Sequence, residues 1–232
     1  MLPPFVTHRY WSLALLLSLL SVLPRAEAQT NAAAATNSPP ARFEKEIQAF
    51  EDADRLHPPP ADAILFVGSS TIRLWSTLTN DFADWPVINR GFGGSHIPDV
   101  TAFASRIIFP YNPRTIVFYA GDNDLADGHS AAKVVADYHE FTVLVHARLP
   151  RAKVLFLAIK PSLKRWQLHE QALTVNQAIA SLPDPWLGFI DTYPPMLGEA
   201  GRPRPELYQE DGLHMTSAGY AIWTGLIRPR LR

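Results

Sequence analysis

The chain has 232 residues, 47% hydrophobic and 19% charged, with a formal net charge of -1 and no cysteine. That length suits one domain with a sizeable core, and the near-neutral balance lacks the basic excess of a nucleic-acid-binding surface. Without cysteine the chain has no disulfide, no thiol nucleophile, no lipid-bearing cysteine and no cysteine-ligated zinc.

The N-terminus is laid out as a secretory signal peptide. His8 and Arg9 precede the apolar run 11–22, Pro24 follows, and Ala26-Glu27-Ala28 offers a small-x-small cleavage site. Cleavage is expected between Ala28 and Gln29, giving an exported protein, periplasmic or secreted. A run of about a dozen apolar residues falls short of the roughly 20 needed to cross a bilayer, so no stable membrane span is expected. Residues 29–41, rich in Ala, Asn, Thr, Ser and Pro, read as a flexible linker. Residues 42–232 are then a single domain.

From Arg42 the pattern becomes periodic. Phe43, Ile47, Phe50 and Leu56 fall near helical spacing, opposite Glu44, Lys45, Glu46 and Asp52, and Pro58-Pro59-Pro60 ends the helix. Strand-length apolar runs follow at 63–67, 86–89, 115–119, 154–159 and 187–190. Nearly unbroken runs of this kind fit strands covered on both faces. Between them lie helical stripes: Ile97, Val100, Ala104 and Ile107; then Val134, Tyr138, Phe141, Val145 and Leu149; then Leu168, Ala172, Val175 and Ile179. A last helix begins near Thr216 and carries Ala218, Ile222 and Leu226. Strands alternating with helices predict βαβ units, and right-handed crossovers make these a three-layer α/β/α sandwich around a parallel sheet. In such sheets ligands bind beyond the carboxyl ends of the strands.

Polar residues collect at those ends: Gly68-Ser69-Ser70-Thr71 after the first strand, Arg90-Gly91-Phe92-Gly93-Gly94-Ser95 after the second, and Ala120-Gly121-Asp122-Asn123-Asp124 after the third. Asp211-Gly212-Leu213-His214 follows the fifth strand and a long loop. A serine hydroxyl is a poor nucleophile at neutral pH and needs a base, for which His214 is the candidate. A carboxylate should hold that ring in the right tautomer. Asp211, three residues earlier, can do so if the segment turns tightly, and Asp191 at the end of the fifth strand is the alternative. The oxyanion of a tetrahedral intermediate needs fixed donors. The N–H groups of Ser70 and Gly94 and the side-chain amide of Asn123 could supply three, each typically worth about 3 kcal/mol in the transition state.

These four segments resemble the SGNH/GDSL hydrolases, a family named for serine, glycine, asparagine and histidine. Phe66-Val67-Gly68-Ser69-Ser70 matches the first block, Gly94 the glycine block, Asn123 the asparagine block and Asp211-Gly212-Leu213-His214 the last, in the family's order. The resemblance implies a flavodoxin-like α/β/α fold with a five-stranded parallel sheet, and ester hydrolysis without cofactor. It selects Ser70 over Ser69 as nucleophile. The wider pattern is similar to the platelet-activating-factor acetylhydrolase-like branch. Two positions depart from the family's habit: Ser69 and Ser95 stand where Asp is common, which leaves the catalytic set intact and changes its surroundings.

Other readings are weaker. Asp122, Asp124 and Asp127 precede Gly128, but Ala126 and Lys133 break the calcium-loop pattern. There is no His-Glu-x-x-His and no Gly-x-Ser-x-Gly, so neither a metalloprotease nor an α/β-hydrolase elbow is present, and no metal is expected. His139, His146 and His169 fall on predicted helices, expected at the surface. His96 beside the glycine block, Lys160 after the fourth strand and Trp166 are candidate substrate contacts. Arg202 and Arg204 precede Asp211 and read as solvated charges. The expected partner is a small-molecule ester with a short acyl or acetyl group, an acylated carbohydrate among the candidates. The rivals are a non-catalytic binding module on the same fold and a lipid-directed acylhydrolase.

Overall fold

The computed structural model describes residues 40–60 and 62–231. The segment read as a signal peptide, and residues 29–39 of the linker, lie outside the described residues. Helix α1 (Glu44–Leu56) follows a single 3-10 turn and ends where the three prolines begin. Five parallel strands then alternate with helices: β1 (Ile64–Gly68), β2 (Val87–Gly91), β3 (Thr115–Tyr119), β4 (Lys153–Leu157) and β5 (Leu187–Ile190). Their order across the sheet is β2-β1-β3-β4-β5, the flavodoxin-like order in which each crossover lays a helix on one face.

The long helices are α4 (Ile97–Ile107), α6 (Ala131–Arg148), α7 (His169–Ala180) and α8 (Ser217–Ile227); the short ones are α2 (Ser70–Arg73), α3 (Leu78–Asp81) and α5 (Asp122–Ala126). Alternate strand residues serve opposite layers, as a period of two requires. Leu65, Val67, Ile116, Phe118, Val154 and Phe156 pack against α1, α4, α6 and α7. Ile64, Phe66, Val117, Tyr119, Leu155 and Leu157 pack against the layer that carries α2, α3 and α8. Every residue of β1 and β3 is buried, which is why both read as unbroken apolar runs. Trp75 is core, wedged among Phe66, Phe82, Tyr220 and Trp223.

Two strand ends differ from the sequence expectation by two residues, each for a local reason. β2 continues past Asn89 through Arg90 to Gly91. The Arg90 side chain is satisfied there by the Tyr111 hydroxyl (2.8 Å), the Asn89 carbonyl (2.7 Å) and Asp54. β4 stops at Leu157, two residues before its apolar run does. Asn176 of α7 takes the place of a sheet neighbour for Ile159, accepting from its N–H (2.8 Å) and donating to its carbonyl (3.0 Å). The three short helices have too few residues to show a helical period. Among the described residues no helix is long and apolar enough to cross a membrane.

Candidate active site

The strand-end segments meet at the carboxyl edge of the sheet. β1 ends in Gly68 at φ +137°, and a Cβ there would stand 1.8 Å from the Tyr119 carbonyl oxygen of β3. Only glycine lets the two strands approach so closely. The Ser69 N–H donates to that same carbonyl (2.9 Å), which fixes the turn that delivers Ser70 as the first residue of α2.

The segment carrying the histidine is folded just as tightly. Tyr208 and Met215 form an isolated antiparallel bridge, and the Gln209 N–H donates to the His214 carbonyl (2.7 Å). Inside this turn Asp211 Oδ1 accepts from the Leu213 and His214 N–H groups, both at 2.9 Å, and Oδ2 lies 2.5 Å from His214 Nδ1. Partial burial raises the Asp211 pKa, but these two amides and the imidazole outweigh it and pull it down to about 2. An ionised carboxylate only accepts, so Nδ1 carries the proton and Nε2 presents its lone pair. That lone pair faces Ser70 Oγ at 3.0 Å. Asp191, the alternative carboxylate, instead accepts from the Tyr193 N–H at 3.1 Å and caps the end of β5.

Gly94 lies at φ +73°, and a Cβ there would meet nothing within 4 Å. Its backbone therefore borders open space, beside Ser70, Asn123 and His214, in a cleft of about 690 Å³. The Ser70 and Gly94 N–H groups have no hydrogen-bond partner among the described residues. Asn123 Nδ2 donates one hydrogen to the Ser95 carbonyl (3.0 Å), and its Oδ1 accepts from Arg165 Nη2 (3.0 Å). A guanidinium can only donate, so this contact fixes which end of the amide is oxygen. The second Nδ2 hydrogen is left for a ligand in the cleft.

Arg165 carries no signal in the sequence. It sits in the loop after β4, which carries no motif, and it also bonds Asp122 Oδ2 at 3.0 Å. Lys45, Glu46 and Arg73 join it on the cleft wall. Arg73 had a signal, since it follows Ser70 by three residues and three-apart residues share a helix face.

The three candidate substrate contacts fall outside this cleft. His96 caps the start of α4, with its ring 2.8 Å from Asp127. Lys160 is buried beneath the site, 3.2 Å from the Tyr119 hydroxyl and 3.5 Å from Asp122. Burial pushes its ammonium pKa down against the opposing pull of Asp122. Trp166 stacks on His169 at 4.3 Å and under Arg202 at 4.6 Å. His146 is half-buried rather than at the surface, stacked on Trp186 at 4.4 Å. Of the two serines in the family's usual Asp positions, Ser69 buries its hydroxyl without a partner, and Ser95 donates to the Phe92 carbonyl at 3.2 Å.

A parallel α/β sandwich with a serine, a histidine and a carboxylate aligned at the strand ends is the architecture of a serine hydrolase. The family model described as GDSL-like Lipase/Acylhydrolase matches residues 66–222, and the chain belongs to that family, whose members hydrolyse ester bonds. Solved structures share the fold. A Streptococcus pneumonia protein provisionally described as a platelet activating factor aligns with TM-score 0.73 at 19% identity, over 82% of this chain and 94% of that one. A GDSL-like lipase from Bacteroides thetaiotaomicron gives 0.68 at 20%, over 80% and 96%. An acetylxylan esterase from Geobacillus stearothermophilus gives 0.60 at 12%, over 74% and 94%. No curated protein matches the chain by sequence.

Proposed function

We propose that the chain is an exported serine esterase that removes short acyl groups, acetyl foremost, from hydroxyl-rich alcohols such as carbohydrates. The observation that carries the reading is the continuous relay from Ser70 Oγ through the His214 ring to Asp211, with links of 3.0 and 2.5 Å. His214 Nε2 takes the Ser70 proton as Oγ adds to the ester carbonyl. The oxyanion is held by the Ser70 and Gly94 N–H groups and the free Asn123 hydrogen. Collapse of the intermediate breaks the bond to the alkoxy oxygen, which leaves with the proton from Nε2. Water then adds to the acyl-enzyme with His214 again as base, and the acid departs as Oγ regains its proton. Asp211 stays ionised throughout and stabilises the imidazolium.

The wall of the cleft supports the substrate class. Lys45, Glu46, Arg73 and Arg165 outnumber its apolar side chains, Ala49 and Leu213. A long acyl chain gains about 0.8 kcal/mol per buried methylene only against apolar walls. A charged, open cleft favours an alcohol that hydrogen-bonds. The purified protein is expected to cleave p-nitrophenyl acetate faster than the longer-chain esters. Ser70→Ala should lower kcat by about 10³-fold or more with the circular dichroism spectrum unchanged. Undiminished activity in that variant removes the assignment, and a preference for long chains removes the substrate class. Export is read from residues 1–28 alone, and an N-terminus at Gln29 on protein recovered outside the cytoplasm is the result it requires.

A further inference from the structure

Beside the oxyanion-hole segments, outside the cleft that Ser70 lines, three side chains converge that the esterase reading does not use. One ring nitrogen each of His96 and His129 and one carboxylate oxygen of Asp124 lie within 4.8 Å of one another. No side-chain hydrogen bond joins any two of them. Asp124 is 0% exposed; its Oδ1 accepts from the Ile97 N–H at 3.1 Å, and its Oδ2 is buried with no partner. Nδ1 of His129 is likewise buried without one. A buried carboxylate oxygen left bare costs free energy, and two imidazoles that approach it without bonding it do not relieve that cost.

We infer that His96, Asp124 and His129 form a binding site for a first-row divalent cation, zinc above others. Two imidazoles and a carboxylate are the donor set of such ions, whereas magnesium and calcium select oxygen ligands. The set is positioned in advance. The His129 N–H donates to the Asp124 carbonyl (3.0 Å), which ties the two ligands' backbones together. Asp127 grips the His96 ring at Nε2, as carboxylates commonly hold metal-ligating imidazoles. In a tetrahedral zinc site the ligand atoms are about 3.3 Å apart, so small side-chain rotations close the cluster. His96 and His129 are only partly buried and Asp127 is exposed, which leaves a way in from solvent.

The position gives the cation a role. His96 lies two residues after Gly94, and Asp124 directly follows Asn123. A bound ion would cross-link the two segments that supply oxyanion donors, at a point where the Asn123–Ser95 hydrogen bond already joins them. This is a structural staple outside the cleft, and it stands or falls apart from the identity of the nucleophile.

The test is calorimetric titration of the full chain, stripped with a chelator, with zinc chloride and with magnesium chloride. One equivalent of zinc is expected to bind, with magnesium giving no heat. His129→Ala should weaken zinc by at least about tenfold. Asp124→Asn, which keeps the shape and an acceptor for the Ile97 N–H, should do the same and so guards against a folding artefact. Zinc at roughly 100 times the wild-type Kd should raise Tm by about 5–10 °C in the wild type and by half that or less in either variant. No uptake by the wild type, equal uptake by both variants, or an equal response to magnesium overturns the proposal. None of these results bears on Ser70.

Discussion

At Asp211 one carboxylate oxygen takes the Leu213 and His214 amides while the other takes the imidazole Nδ1–H, so a single side chain both shapes the turn and orients the His214 ring. Its folded pKa of about 2 lies below the value of about 3.9 expected for an unfolded Asp. A depressed carboxylate stabilises the fold above the unfolded value, and the contribution is lost as pH falls through the folded one. The urea midpoints of wild type and Asp211→Asn should therefore differ above about pH 4 and converge toward pH 2. Partial exposure keeps the difference small, and a gap that persists at pH 2 contradicts the account. Asn123 and Arg165 form the second residue-scale unit. Asn123→Ala should cost about 10²–10³ in kcat, the usual loss for one oxyanion donor. Arg165→Ala should cost about 10- to 100-fold by letting the amide turn. If Arg165 acts through Asn123, the double variant is no worse than Asn123→Ala alone; additive losses in kcat would assign Arg165 a separate role. The Ser, Gly, Asn and His positions were legible because each follows a strand in a recognisable short block. Arg165 was not, because its place is set by a loop fold that leaves no periodic or motif signal.

At the scale of elements, β1 and its turn decide where Ser70 stands. Gly68→Ala would place a methyl group against the Tyr119 carbonyl at a backbone angle that L-residues avoid. It should destabilise the protein by about 3 kcal/mol or more in chemical denaturation. A loss below about 1 kcal/mol would mean that the strand end relaxes and the approach is not needed. The strands of the sheet centre were readable because burial on both faces forces apolar residues at every position. β2 was half-hidden, since this edge strand keeps Asn89 and Arg90 and satisfies them through Ile72, Tyr111 and Asp54. Asn176 shows why the end of β4 was overread: a side chain on a distant helix replaced the ladder, and nothing in residues 154–159 reports that.

Across the molecule, the two apolar layers hold a sheet whose carboxyl edge gathers residues from positions as far apart as 70 and 214. The sequence carried the order of these blocks and the layered fold. It did not carry which flanking side chains would turn inward, and His96, Lys160 and Trp166 were drawn by nearby packing to other partners. In the proposed function this convergence makes Ser70 the activated nucleophile. Treating the protein with a fluorophosphonate and mapping the adduct by peptide mass spectrometry tests that directly. One adduct is expected, on Ser70, strongly slowed in His214→Ala. An adduct on Ser69 or elsewhere, or no reaction in folded protein, would contradict it.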